Sequence, residues 1–235
     1  MCNLREIIEN HNEAYNLRFD KENHEYSIQD NIKLQSVTSK ISQFFPFNKN
    51  KISREVALRN WQLQEEVLDE WEILKLNGSY IHELADTYCR GKSLPEKELQ
   101  LLSHLIQFFK ENNHLQIICS EIQVFSKKYN IAGTIDLIVK DTNNNNRLYI
   151  IDWKTSKKRI DKKQIFSMAK PPFEELPNNK FHIYSMQLSC YSLILKQEYN
   201  IDIWDYMIVH LKYDDTYEII DATNLCFEAE ELLLK

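Results

Sequence analysis

Two apolar runs, Ile131–Val139 and Leu148–Trp153, stand out in the hydrophobic pattern of the chain, and an Asn-rich polar stretch from Asp141 to Arg147 separates them. Near-continuous Ile, Leu and Val over this length, bounded by polar residues, predicts two buried strands joined as a β-hairpin with a longish loop. Each run carries one aspartate where a buried strand favours an aliphatic residue: Asp136 in the first and Asp152 in the second. A buried, unpaired carboxylate is costly, so each must be neutralised, paired with a cation or bound to a metal.

The rest of the chain divides by periodicity. Leu4, Ile7 and Ile8 give an apolar edge to a helix from Met1 to about Asn12, and Asn16–Asp20 and His24–Gln29 read as a small hairpin around a DKEN turn. Ser36 or Thr38 can cap a helix running to Phe44, with Pro46 beyond it and Phe44, Phe45 and Phe47 as core or lid packing. Ile52 to Leu76 has helical spacing, as one long helix or two abutting ones, and Asn77 can cap a further helix ending at Gly91. Leu94–Asn112 reads as an amphipathic helix and His114–Ser126 as the first strand of the sheet. Pro171, Pro172 and Pro177 exclude regular helix after Lys163; Phe181–Glu198 resumes it, Ile203–Lys212 and Tyr217–Asp221 form a strand pair, and Glu228–Lys235 is a short helix. The class is therefore α/β: a central mixed sheet of about four or five strands flanked by helices, with a helical N-terminal portion walling one side of a cleft. The expected division is an appendage over 1–35 and a main domain over 36–235.

Composition narrows this reading. The 235 residues suffice for one sizeable domain. No apolar run reaches the ~20 residues of a membrane span, and the charged N-terminus lacks a signal-peptide core, so a cytoplasmic protein is expected. The five cysteines are scattered with no CxxC pair, which gives no zinc or disulfide pattern. A net charge of −6 argues against general nucleic-acid binding, yet Lys154–Lys163 holds six basic residues and one acidic. Lys157, Lys158 and Arg159 of that run are candidates for phosphate contacts; Arg54 and Arg59 either touch DNA or form a solvated face.

Asp152 and Lys154 are two apart on a strand and so share a face, ~6.5–7 Å apart at Cα. Two acids and a lysine on adjacent strands make a cradle for a divalent cation and a polarised phosphate, with oxygen ligands that suit Mg²⁺ or Mn²⁺. Gly133-Thr-Ile-Asp136, a hairpin, then Ile150-Ile-Asp-Trp-Lys-Thr155 resembles the core of the PD-(D/E)XK nuclease superfamily, in its RecB-like exonuclease branch of phage type. The resemblance spans roughly Ser36 to Val209.

That resemblance implies a restriction-endonuclease-like core and a Mg²⁺- or Mn²⁺-dependent deoxyribonuclease, an exonuclease of DNA processing, repair or recombination. Asp136 and Asp152, with the carbonyl of Trp153, become metal ligands. His82, on its own an ordinary core or surface histidine, joins them through Gly78-Ser-Tyr-Ile-His82, which is similar to the family's Gly-small-x-x-His helix motif. Lys154 orients the attacking water or stabilises charge on the phosphate, and cleavage leaves a 3′-hydroxyl. Glu121 completes the acidic cluster, through water, through a second metal or by pairing with a lysine. Gln187 and Tyr191, at the family's Gln-x-x-x-Tyr positions, line the DNA path. The iron–sulfur cluster of some RecB-like nucleases needs a tight C-terminal cysteine group, missing here, so no cluster is expected. No GxxxxGK[ST] motif occurs, which leaves any helicase or recombination partner on a separate chain. The alternative is a catalytically inactive DNA-binding module on the same fold.

Overall fold

The computed structural model describes residues 4–29 and 31–235. Helix α1 (Leu4–Ala14) is followed by the hairpin β1 (Arg18–Asp20) and β2 (Glu25–Ile28), then β3 (Ile32–Ser36). The expected helix start at Met1 lies outside the described residues. Helix α2 (Val37–Ser42) begins on Ser36, whose Oγ accepts from the Ser39 N–H at 3.1 Å, so Ser36 rather than Thr38 is the cap. Helices α3 (Lys49–Asn60), α4 (Gln64–Cys89), α5 (Glu96–Leu101) and α6 (Ser103–Glu111) precede the central strands β4 (Leu115–Ser126), β5 (Ile131–Asp141) and β6 (Arg147–Lys154). Helix α7 (Lys180–Tyr199), strands β7 (Asp205–Leu211) and β8 (Tyr217–Asp221), and α8 (Cys226–Leu234) complete the chain.

The sheet is mixed and larger than the four or five strands expected. Among the described residues eight strands join, in the order β1-β2-β3-β5-β6-β7-β8, with β4 on the other edge of β5. The extra members are β1 to β3, of which β3 was not foreseen. Only Leu34 of its five residues is buried, too little for periodicity to register, and the strand is fixed by pairing antiparallel with β2 and parallel with β5.

Period-two alternation sorts the central strands between two cores. Ile138, Ile150 and Ile208 pack with Met186, Leu188 and Leu232, residues of α7 and α8, on one face. Leu137, Val139, Ile151, Trp153 and Val209 pack with Leu84, Leu105 and Phe108, residues of α4 and α6, on the other. A sheet covered on both faces needs apolar residues at nearly every position, which is why β5 and β6 read as continuous runs.

Three expected helices differ in their limits. The Ile52–Leu76 stretch breaks at Trp61, which sits in the left-handed region at φ 57°. Helix α4 then runs without interruption through Asn77 and Gly78, so Asn77 is an interior residue and not a cap. Glycine costs a helix about 1 kcal/mol, but a Cβ at residue 78 would stand 2.9 Å from Thr155 Oγ1. Its absence lets α4 lie directly against the end of β6. The single helix expected over Leu94–Asn112 is two short ones that meet at the fully buried Leu102.

Candidate metal centre

Strand β5 positions the centre. Strand β4 pairs along its whole length, while the opposite edge is shared: β3 pairs at Ile131 and Ala132, and β6 pairs from Leu137 onward. Between these partners the edge is open, and Asp136 lies at the fork. Asp152 occupies the next step of β6 beyond the Leu137–Ile151 pair, where β6 has turned to β7. Across the parting strands the Trp153 N–H donates to Asp136 Oδ2 at 2.9 Å.

Two further elements bring side chains to the fork. Glu121 of β4 stands opposite Asp136, flanked by the pairs Ser120–Leu137 and Ile122–Ile135, with its backbone in the left-handed region at φ 43°. His82 comes from α4, whose C-terminal turns are tied to β4 by Ser120 Oγ donating to Asp86 Oδ1 at 2.5 Å. His82 Nδ1 lies 3.5 Å from Asp136 Oδ2 and 3.6 Å from Glu121 Oε1. Ligand atoms of His82, Glu121 and Asp136 all fall within 4.8 Å of one another.

Asp152 stands apart from this trio. Its Oδ2 meets Lys154 Nζ at 2.6 Å in a buried ion pair. The two side chains share a face of β6 as the spacing predicts, and Lys154 Nζ lies 4.5 Å from the centre of the Tyr184 ring of α7. Gln187 and Tyr191 come together on the same helix, Gln187 donating to the tyrosine hydroxyl at 3.2 Å. Both are buried, with Tyr191 lying over Gly133 of β5, so they form a floor beneath the fork and not an open surface. Lys157, Lys158 and Arg159 are exposed on the loop after β6, where Lys157 pairs with Glu70 at 2.8 Å and Arg159 approaches Glu218 at 3.7 Å.

The protonation states follow from crowding. Burial works against a charged His82, but the carboxylates of Asp136 and Glu121 outweigh it and push the imidazole up to about 10. Burial also acts against the charge of Asp136, yet His82, Lys154 and the Trp153 N–H hold it below the usual carboxylate range. Burial and the neighbouring Asp136 charge push Asp152 up to about 6, with Lys154 opposing them. Glu121 is raised by burial and Asp136, against the pull of His82. Lys154 is buried too, but Asp152 and Asp136 keep it firmly cationic. Carboxylates that crowd one another around an imidazole have the donor chemistry that could hold a divalent cation.

The model of the PD-(D/E)XK nuclease superfamily matches residues 46–211. The chain belongs to that superfamily. Membership points to a metal-dependent nuclease, and superfamily members typically use divalent metals. No curated protein matches the chain. Among solved structures, that of SSO0001 aligns at a TM-score of 0.36 and 16% identity, over 96% of this chain and 81% of that one. The mixed sheet flanked by helices is consistent with the restriction-endonuclease-like fold of the superfamily. Among the described residues, no helix is long and apolar enough to cross a membrane. Sequence reasoning gave Glu121 a softer role than Asp152, whereas the geometry groups Glu121 with His82 and Asp136. The signal in the sequence was its place ahead of the Gly133-Thr-Ile-Asp136 strand, where the family it resembles keeps a glutamate.

Proposed function

We propose that this superfamily member is a Mg²⁺- or Mn²⁺-dependent deoxyribonuclease of the RecB-like branch, of phage type, acting as an exonuclease in DNA processing, repair or recombination. The observation that carries the reading is the convergence of His82, Glu121 and Asp136 within 4.8 Å, beside the buried Asp152–Lys154 pair. Residues 36–235 are the catalytic unit and 1–35 its appendage; the setting is cytoplasmic, and any motor or recombination partner is a separate chain.

The residues fit a divalent ion. Three carboxylates and one imidazole are available, and the donor atoms of His82, Glu121 and Asp136 converge within 4.8 Å. His82, Glu121 and Asp136 would hold the ion, with Asp152 and the Trp153 carbonyl as further oxygens. Such an ion, when bound, polarises a phosphate oxygen and acidifies water. Asp136 is kept ionised by His82 and Lys154 and oriented by the Trp153 N–H. Lys154 holds its charge where negative charge grows on a scissile phosphate, or orients the water that attacks it. Gln187 and Tyr191 support β5 under the DNA path. Lys157, Lys158 and Arg159 bind the DNA backbone.

The deciding assay incubates labelled linear and closed-circular DNA, single- and double-stranded, with Mn²⁺ or Mg²⁺. Metal-dependent shortening of linear DNA with circles left intact is expected. Cut circles would make the enzyme an endonuclease, and no cleavage with either ion would refute the nuclease reading.

His82 adds a second expectation. A metal takes only neutral imidazole, while the metal-free residue stays protonated well above neutrality. Calorimetric titration with Mn²⁺ in buffers of different ionisation heat should therefore register about one proton released per ion near pH 7.5. Apparent affinity should rise with pH between about 7.5 and 9, above the range in which Asp152 titrates. In His82→Asn both effects should vanish; affinity independent of pH in the native chain would remove His82 from the ligand set.

The basic loop gives a third. Replacing Lys157, Lys158 and Arg159 with Ala should weaken duplex binding and flatten its salt dependence by up to ~0.9 per lost phosphate contact. An unchanged salt slope would assign that loop to solvent.

A further inference from the structure

The face of α4 that carries His82 continues away from the carboxylates. Trp71, Gly78 and His82 lie at i, i+7 and i+11, within a few tens of degrees of one another around the helix. Trp71 is thus ~16 Å along the axis from His82. The chain leaving β6 follows the same helix, with Thr155 beside Gly78 and Lys157 Nζ 2.8 Å from Glu70 Oε1, one residue from Trp71.

At that end Phe47, 62% exposed, meets the half-buried Trp71, their ring centroids 5.8 Å apart and the planes at 48°. Core packing does not account for the pair. Phe44 and Phe45, a few residues earlier, turn inward onto Phe173, whereas Phe47 faces outward. An exposed and a half-buried aromatic ring beside a cationic loop, in line with a candidate phosphate-cleaving centre, match the chemistry of an unpaired nucleic-acid strand. Bases without partners offer free π-faces for stacking on aromatics, and the backbone supplies the charge that the loop complements. Bases inside a duplex are already stacked and offer no such face.

We propose that Phe47 and Trp71 form a base-stacking platform for single-stranded nucleic acid, leading along α4 to the carboxylates. This rests on the nuclease reading and makes a single strand its substrate class. It requires that platform and loop act on the same ligand, the rings on the bases and the loop on the phosphates.

The test is fluorescence anisotropy on the full chain in EDTA, with labelled oligothymidylate of about 20 nucleotides and a duplex of equal length. Tighter binding to the single strand is expected, with quenching of tryptophan emission. Phe47→Ala and Trp71→Ala should each weaken single-strand binding by about 5- to 100-fold and leave duplex binding unchanged, while Phe47→Tyr stays close to the native chain. Phe47 is exposed, so its variants separate ring loss from unfolding even if Trp71→Ala is unstable. Unchanged single-strand affinity in Phe47→Ala, or equal losses on both DNA forms, overturns the platform while the native chain's metal-dependent cleavage upholds the nuclease. A native chain that neither binds DNA of either form nor cleaves it overturns both. Binding of a protein at this face with no affinity for single strands likewise refutes the platform.

Discussion

Asp136→Asn is expected to lower metal-dependent cleavage by on the order of 10³-fold or more, since charge stabilisation by a bound ion is worth several kcal/mol and each ~1.4 kcal/mol is a decade in rate. The amide is the same size as the carboxylate, and its oxygen can still accept the Trp153 N–H that now bonds Oδ2 at 2.9 Å. What it removes is the charge shared by His82 and Lys154, the first at 3.5 Å. Cleavage of linear DNA by purified native and variant protein, with circular dichroism to show that both fold, is the measurement. A folded Asp136→Asn protein within tenfold of native activity would place the catalytic charge elsewhere.

Gly133→Ala is expected to destabilise the fold by about 1–3 kcal/mol through overpacking, or roughly 2–10 °C in melting temperature for a chain of this length. A Cβ at 133 would stand 2.5 Å from Tyr191 Cε1 and 2.8 Å from its hydroxyl oxygen. The ring has little room to yield, because Tyr191 is 3% exposed and its hydroxyl is held by Gln187. Shortening the partner relieves the overlap, so Tyr191→Leu added to Gly133→Ala should cost less than the sum of the two changes. Calorimetric melts of the four proteins test this. Additive losses would show that α7 shifts freely and that the glycine has no steric role.

The hairpin of β5 and β6 was legible because burial on both faces forces unbroken apolar runs, against which Asp136 and Asp152 show as exceptions. Asp152 and Lys154 were legible from strand periodicity alone. The course of α4 was not. Asn77-Gly78 is a local breaker signal, and the contact that overrules it, Thr155, lies far along the chain on the end of another element. Strand β3 was hidden for a related reason: its short, mostly exposed sequence becomes a strand only because β2 and β5 offer partners. The grouping of Glu121 with His82 and Asp136 depends on the pairing of β4 with β5 and on a helix that crosses to meet them, neither of which leaves a local pattern. Phe47 looked like packing because two of the three neighbouring phenylalanines are packing.

Glu121 holds a left-handed backbone inside a strand, a conformation that glycine adopts freely and glutamate does not. Replacement by glycine would relax the strand and also erase a carboxylate of the cluster, and with it the crowding of like charges against Asp136. Thermostability and chemistry therefore pull this one position in opposite directions. A screen that selected variants of this chain only for surviving heat would drift toward robust proteins that had lost this carboxylate.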